Sequence, residues 1–95
     1  MKIIVESFGL PTLSALIGRK VEMELAAATT ADLIDRLVAR FGPKARQTFL
    51  DAAGCLDMTI HVMVNDEGFL PRDEFTTREL KDGDLIRLML LAGGG

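Results

Sequence analysis

The sequence predicts an α+β fold in which a mixed sheet of four to five strands packs on one long helix. Two kinds of pattern support this prediction. Four segments place alternate residues on opposite faces, as strands do, and one segment repeats its apolar residues at helical spacing. Their order is two strands, the helix, a variable segment and two more strands. This order suits a single sheet that is covered by a helix on one face.

The first two strands are predicted at residues 2–8 and 21–25. The segment KIIVESF is rich in β-branched residues and divides its side chains between two faces: Ile3 and Val5 on one, and Ile4, Glu6 and Phe8 on the other. VEMEL alternates apolar and acidic residues, so we expect its apolar side chains to point inward. Between the two strands, Pro11 and Gly18 indicate a short turn of helix.

The long helix is predicted within residues 29–42, TTADLIDRLVARFG. Thr29 or Thr30 can cap it, and Asp32 stands in the first turn, where the helix dipole favours a negative charge. Gly42 ends it. The helix has one apolar stripe, formed by Leu33, Ile34, Leu37, Val38 and Phe41. The stripe is expected to pack on the sheet.

The second half of the chain contains a shorter helix and two more strands. KARQTFLDAAG, residues 44–54, is predicted to form a helix that buries Phe49 and Leu50 and ends at Gly54. Strand spacing returns at residues 58–65 and 85–91. The inward faces of these strands are predicted to hold Ile60, Val62, Val64, Ile86, Leu88 and Leu90. KDGD, before the last strand, is a tight-turn signal.

The composition excludes several classes of function. With 95 residues the chain fits one domain, and its net charge of −3 with no basic cluster longer than Arg19-Lys20 predicts no nucleic-acid partner. No segment is long and apolar enough to span a bilayer, and Glu6 interrupts the N-terminal apolar run before a signal-peptide core can form. We therefore expect a cytoplasmic protein with no membrane partner.

The residue types that carry catalysis do not form a recognisable constellation. Cys55 and His61 are the only cysteine and histidine, and neither has further ligands at metal-site spacing. Cys55 is predicted to be a small apolar filler in a loop. The acidic residues between 66 and 74 lack the regular spacing of a calcium loop. The chain is therefore not expected to be an enzyme or to bind a metal.

A ubiquitin-like β-grasp is the simplest topology for these elements, with the first and last strands adjacent and parallel at the centre. Parallel neighbours are usually buried on both faces, which suits the apolar residues of these two strands. Over essentially its whole length the chain resembles the MoaD and ThiS family of sulfur carriers. The most specific part is LKDGDLIRLMLLAGGG, in which an apolar strand follows LKDGD and leads into terminal glycines.

The resemblance implies a β-grasp domain at residues 1–91 and a flexible glycine tail at residues 92–95. A ubiquitin-activating-type adenylase would use ATP and magnesium to adenylate the terminal glycine, and a persulfide or sulfide would convert the product to a thiocarboxylate. The carrier itself would bind no cofactor. A synthase large subunit or another acceptor would then receive the sulfur.

The reactive residue and the branch of the family depend on details of the tail. The family usually ends in two glycines, so either Gly95 reacts or it is trimmed to expose Gly94. The long segment 43–58 favours the molybdopterin branch, whereas Leu91 and Ala92 stand where the family commonly has a proline. Glycines lack Cβ atoms and can pass through a narrow channel, and residues 92–95 reach roughly 13–14 Å when extended.

Partner-binding residues are predicted in two places. Leu91, Ala92 and Gly93 lead into the reactive end. Met63, Arg87 and Met89, together with His61, lie on the sheet face opposite the inward positions, and methionines adapt to more than one partner. The alternative is that a loop of the same chain covers Met63 and Met89.

Three other functions stay open at this stage. The chain could be a thiamine-type sulfur carrier or a ubiquitin-like modifier that joins lysines of target proteins through the same tail. It could also be a β-grasp interaction module whose glycines are incidental. Deleting Gly94 and Gly95 separates the last possibility, because only an interaction module would keep its full function.

Overall fold

The computed structural model describes residues 1–8, 15, 18–26 and 28–90, with only the backbone of Leu90. The short helical turn predicted between Pro11 and Gly18 lies outside this description. The described elements are β1 (Lys2–Phe8), β2 (Lys20–Glu24), α1 (Thr30–Phe41), α2 (Pro43–Phe49), β3 (Ile60–Val64), a 3-10 turn (Arg72–Glu74) and β4 (Leu85–Leu90). They follow the predicted order.

The sheet has four strands in the described chain, in the spatial order β2-β1-β4-β3. β1 is antiparallel to β2 and parallel to β4, and β3 is antiparallel to β4. The parallel pairing of the first and last strands confirms the predicted β-grasp arrangement. In this register Glu6 lies opposite Arg87, and Phe8 lies opposite Met89.

The hydrophobic core lies between one face of the sheet, which we call the inner face, and the two helices. Its fully buried members come from three strands and both helices: Ile3, Val5, Leu33, Leu37, Phe49, Ile60, Val62, Val64, Ile86 and Leu88. The alternation along the strands and the apolar stripe of α1 are thus confirmed. Burial of such side chains supplies most of the stability of a domain of this size.

The expected burial of both faces of the parallel pair is wrong. The opposite face of the sheet is called the outer face. There Ile4, Glu6 and Arg87 are only partly buried, and the side chain of Phe8 is 45% exposed. The reason is that α1 and α2 both pack on the inner face. The outer face is therefore available for contacts with other molecules.

Helix α1 begins with a capping box. The backbone N–H of Asp32 donates to Thr29 Oγ1 at 3.4 Å, and the backbone N–H of Thr29 donates to Asp32 Oδ2 at 3.0 Å. Of the two predicted caps, Thr29 is the one used. At the other end Gly42 has a φ of 83°, a conformation that glycine adopts without steric cost, and its N–H donates to Val38 O.

Helix α2 ends at Phe49 rather than at Gly54 as predicted. Asp51 Oδ1 accepts hydrogen bonds from the backbone N–H groups of Ala53 and Cys55, at 2.9 and 3.0 Å, and this side chain turns the backbone away from a helical path. Leu50 is extended and only partly buried. The prediction that Cys55 fills an apolar space is also wrong, because the turn leaves Cys55 exposed.

The connection from β3 to β4 is held by side-chain contacts with the backbone. Arg72 donates to the carbonyl oxygens of Leu56, Asp57 and Ile60 at 2.8–2.9 Å. The predicted KDGD turn is present, with Gly83 at a φ of 86°. No helix in the described part of the chain is long and apolar enough to cross a membrane.

Candidate functional site

The candidate site is the outer face of the sheet at the end where β4 finishes. β4 is hydrogen-bonded on both sides, to β1 and to β3, and its last residue, Leu90, pairs with Ile60. The glycine tail therefore follows a strand that is fixed from two sides. Of the predicted site residues, Leu91, Ala92, Gly93, Gly94 and Gly95 lie outside the described residues, whereas Met63, Arg87 and Met89 are described.

The row of outer-face residues nearest to that end of β4 is largely apolar. Phe8, Met89 and His61 are consecutive partners across β1, β4 and β3. Phe8 is 45% exposed, and Met89 and His61 are partly buried. The ring of Phe69 meets the His61 ring edge-on, at 5.7 Å between centroids. This row is an exposed apolar surface next to the point where the tail begins.

The next row contains the predicted cation. Glu6, Arg87 and Met63 are consecutive partners, so Arg87 lies between a carboxylate and a thioether. Its Nη1 lies 3.4 Å from Asp66 Oδ1 and 3.9 Å from the Met63 sulfur, and its buried Nε has no hydrogen-bond partner in the described structure. The Nη1 contacts are long and the side chain is 27% exposed, so the outer end of the guanidinium retains donor capacity for an external acceptor, whereas Nε is buried.

The structure brings Met63, Arg87 and Met89 together on one face, as predicted from their alternation. The backbone of Phe69, in the loop after β3, forms an isolated β-bridge with Met63, and Met63 is partly buried. Both methionines are nevertheless partly exposed. Loop coverage, the alternative prediction, is therefore incomplete.

The acidic loop beside this face forms local contacts rather than a cluster. Glu67 accepts both of its hydrogen bonds from Arg78 Nη2, at 2.7 and 2.8 Å, and this guanidinium lowers the pKa of the Glu67 carboxyl below its usual value of 4.5. Asp66 is 97% exposed at its side chain. In the described ranges, no three metal-ligating side chains lie close enough together to hold an ion.

Sequence reasoning missed three exposed apolar residues. Phe8 and Phe69 belong to the outer-face surface, and Met58, 79% exposed, precedes β3 at the end of the sheet where β4 finishes. Phe8 could have been found, because it shares with Glu6 the strand face opposite the core. Phe69 lies in an isolated β-bridge just after a turn, where period gives no direction for a side chain, and Met58 lies in a turn although the strand predicted at residues 58–65 began with it.

Comparison with solved structures confirms the ubiquitin-like β-grasp fold. The chain is similar to small archaeal modifier protein 1 (SAMP1) from Haloferax volcanii, with 24% identity over the whole of both chains and a TM-score of 0.78. A chain in the BexX/CysO complex of Amycolatopsis orientalis has 25% identity, coverage of 98% and 99%, and a TM-score of 0.68. No family model matches the chain, and neither does any curated protein sequence.

A third similar structure bears on the resemblance stated from the sequence. A Pyrococcus furiosus protein assigned as subunit 1 of a molybdopterin converting factor shares 24% identity, with coverage of 95% of this chain and 97% of its own, and a TM-score of 0.67. The resemblance to ubiquitin-like sulfur carriers is thus confirmed in the fold. In these three comparisons it extends over at least 95% of each chain.

Proposed function

We propose that this chain is a sulfur carrier whose glycine tail, residues 92–95, is activated by a partner enzyme and loaded with sulfur. The observation that carries the proposal is the position of β4. This strand is paired on both sides as far as Met89 and with β3 as far as Leu90, its outer face is apolar and cationic, and the sequence after it is LAGGG. A rigid domain with an accessible surface beside a glycine tail suits a group that must enter the active site of another protein.

The chemistry follows from the properties of a carboxylate. A terminal carboxylate is ionised at neutral pH and is a poor acyl donor, so it needs activation. One of its oxygens attacks the α-phosphorus of ATP, and pyrophosphate leaves, which gives an acyl-adenylate. Sulfide then attacks the carbonyl carbon and AMP leaves, so that a thiocarboxylate remains. With a persulfide donor, a second thiol must also cleave the sulfur–sulfur bond.

The outer face is the proposed docking surface for the activating adenylase and, in turn, for the sulfur acceptor. Phe8, Met89 and His61 provide apolar contact next to the tail, and Arg87 provides a cation whose own contacts are weak. An apolar centre with a few charged anchors is typical of protein interfaces. We infer that a partner carboxylate or carbonyl oxygen binds Arg87.

The downstream product is proposed to be molybdopterin or a related sulfur-containing cofactor, with a synthase large subunit as the acceptor. The fold similarity to the Pyrococcus furiosus converting-factor subunit supports this branch. In this role the chain is a co-substrate rather than a catalyst, it works in the cytoplasm, and ATP and magnesium belong to the adenylase.

A second function is a protein modifier that forms an amide with lysines of target proteins through the same activated tail. The fold similarity to small archaeal modifier protein 1 supports this second function. Both functions need the same adenylation, and they differ in the nucleophile that attacks the acyl-adenylate. Detection of the chain in amide linkage to other proteins would favour the modifier.

The test is an exchange assay with an adenylase of the ubiquitin-activating type from the same organism. It measures how much labelled pyrophosphate is incorporated into ATP in the presence and absence of this chain. We expect exchange with the full chain and none after deletion of Gly94 and Gly95. A far-ultraviolet circular dichroism spectrum checks that the deleted form is folded. Equal exchange with both forms would overturn the proposal and favour an interaction module.

A further inference from the structure

The edge of the sheet opposite β3 is formed by β2. β2 pairs with β1 and with no other described strand. The hydrogen bonds from Ser7 N to Arg19 O and from Leu25 N to Met1 O fix which β2 residues pair with β1. Along an edge strand of an antiparallel pair, every second residue directs its N–H and C=O toward the neighbouring strand. The backbone groups of Lys20, Glu22 and Glu24 therefore point away from β1. Such an edge can accept a further strand.

Arg40 of α1 covers the middle of this edge. Its Nη1 donates to the carbonyl oxygen of Glu22 at 3.1 Å and lies 3.1 Å from the Met23 sulfur. Its guanidinium also lies over the Phe41 ring, 5.2 Å from the ring centroid. Arg40 therefore occupies the acceptor that an added strand would use. Any added strand has to displace it.

A solvent-open groove runs between β2 and α1 beside this contact. It encloses about 430 Å³ and is lined by Met23, Glu24, Arg36, Ala39 and Arg40. Arg36 and Arg40 are one helical turn apart, which corresponds to roughly 6 Å along the helix axis. Alternate side chains of an extended strand are also about 6.6 Å apart. Two residues at positions i and i+2 of such a strand could therefore meet both arginines.

The charge along the edge is positive, although the chain as a whole has a net charge of −3. Within the described part, four cations at or near β2 form no ion pair: Arg19, Lys20, Arg36 and Arg40. The two glutamates of β2 are already paired, Glu22 with Lys2 Nζ at 3.8 Å and Glu24 with the amine of Met1 at 3.4 Å. Acidic side chains would complement this edge.

We propose that the β2 edge binds an extended, acidic segment of a partner protein as an added strand. Carboxylates at positions i and i+2 of the segment pair with Arg36 and Arg40, and Arg40 leaves the Glu22 carbonyl, which then accepts a backbone N–H of the segment. Binding of the carboxylate therefore promotes strand pairing, because the carboxylate that attracts Arg40 also exposes the Glu22 carbonyl to the added strand. This surface is separate from the glycine tail and from the outer face.

The experiment uses two synthetic peptides and the full chain, observed by amide proton and nitrogen NMR. One peptide is an alternating β-forming sequence with aspartates at i and i+2, and the other has asparagines in their place. We expect the aspartate peptide to shift the amides of Lys20, Glu22 and Glu24 and to bind on the order of tenfold more tightly than the asparagine peptide. The shifts should persist after deletion of Gly94 and Gly95, which separates this result from the proposed sulfur chemistry.

Variants distinguish the roles of the two arginines. Arg36→Ala should weaken the aspartate peptide several-fold and leave the asparagine peptide unchanged. Arg40→Ala should instead strengthen the asparagine peptide by uncovering the Glu22 carbonyl, and leave only the preference for aspartate that Arg36 supplies. Arg46→Ala, on α2, is the matched control and should change neither affinity. Equal binding of both peptides to the unaltered chain, or no shift along β2, would overturn the proposal. So would concentration-dependent shifts of the same amides without peptide, because a second copy of the chain would then occupy the edge.

Discussion

Arg87 on β4 lies opposite Glu6 in the central parallel pair, yet its guanidinium is directed toward β3 and the loop after it. Nη1 contacts Asp66 Oδ1 at 3.4 Å, and the described structure contains no ion pair between Arg87 and Glu6. A cation that lies beside a carboxylate without pairing with it remains available to a binding partner. Most of the behaviour that we expect from the outer face follows from this geometry.

Replacement of Arg87 should separate partner binding from folding. We expect Arg87→Gln to weaken binding to the activating adenylase on the order of tenfold, because a charged hydrogen bond across the interface is lost. The midpoint of thermal unfolding should change little, since the contact with Asp66 is long and exposed. Surface plasmon resonance measures the affinity, and Lys44→Gln on α2 is the control. Unchanged affinity would exclude Arg87 from the docking surface.

Phe8 should contribute to binding rather than to stability. Phe8→Thr keeps a residue that favours strands but removes an exposed ring beside Met89, so we expect weaker adenylase binding. Urea unfolding should give a free energy of unfolding within about 1 kcal/mol of the unaltered chain, because Phe8 is outside the core. Gln47→Thr in α2 is the control for binding. A large loss of stability with normal affinity would contradict this assignment.

Asn65 should stabilise the connection between β3 and β4. Its Oδ1 accepts from Leu85 N at 2.9 Å, its Nδ2 donates to Asp84 Oδ1 at 3.0 Å, and its φ is 50°. We expect Asn65→Ala to lower the free energy of unfolding by about 2–3 kcal/mol, through lost hydrogen bonds and an unfavourable backbone conformation.

Asn65→Gly separates these two causes, because glycine adopts this backbone conformation without steric cost. The glycine variant should be more stable than the alanine variant by about 1 kcal/mol in urea unfolding. If both variants match the unaltered chain, Asn65 does not hold this connection.

The ion pair of Glu67 with Arg78 should give a stability term that depends on pH. Arg78 lowers the pKa of Glu67 in the folded state, so the pair stabilises the fold above the usual pKa of 4.5 and the effect is lost as pH falls through the lowered value. We expect Glu67→Gln to lower the thermal midpoint slightly at pH 7, and this difference should shrink as the pH falls below 4.5 and through the lowered pKa. In an Arg78→Gln background the difference at pH 7 should disappear. A difference that grows toward acid pH would contradict the assignment.

Local patterns in the sequence were sufficient to predict most of the architecture. Thr29 and Asp32 mark the start of α1, its apolar stripe packs in the core, and the alternation along β4 puts Arg87 and Met89 on one face. These features depend on residues that are close together in the chain. The parallel pairing of β1 with β4 came from the choice of a β-grasp as the simplest topology, which the family resemblance supports and which periodicity alone does not determine.

The features that were not predicted depend on contacts that are distant in sequence or on side chains that compete with the backbone. The side chain of Asp51 ends α2 early, and Arg72 binds carbonyls 12 to 16 residues away. The contact of Arg40 with Glu22 joins a helix to an edge strand. The contacts of Arg72 and Arg40 do not follow from residue spacing, because each requires the folded arrangement of two elements, whereas the Asp51 turn arises where a side chain competes locally with the backbone.

Intact-mass analysis of the protein isolated from its native cells, under conditions that preserve thioacids, tests the central claim most directly. The sulfur-carrier account predicts a fraction of the chain in which one oxygen is exchanged for one sulfur, and fragmentation should place the sulfur on Gly95 or, after trimming, on Gly94. Replacement by alanine of whichever glycine carries the sulfur should abolish the modified mass while the fold is retained. A chain that carries only an unmodified carboxylate, in cells that are actively making sulfur-containing cofactors, would contradict the account.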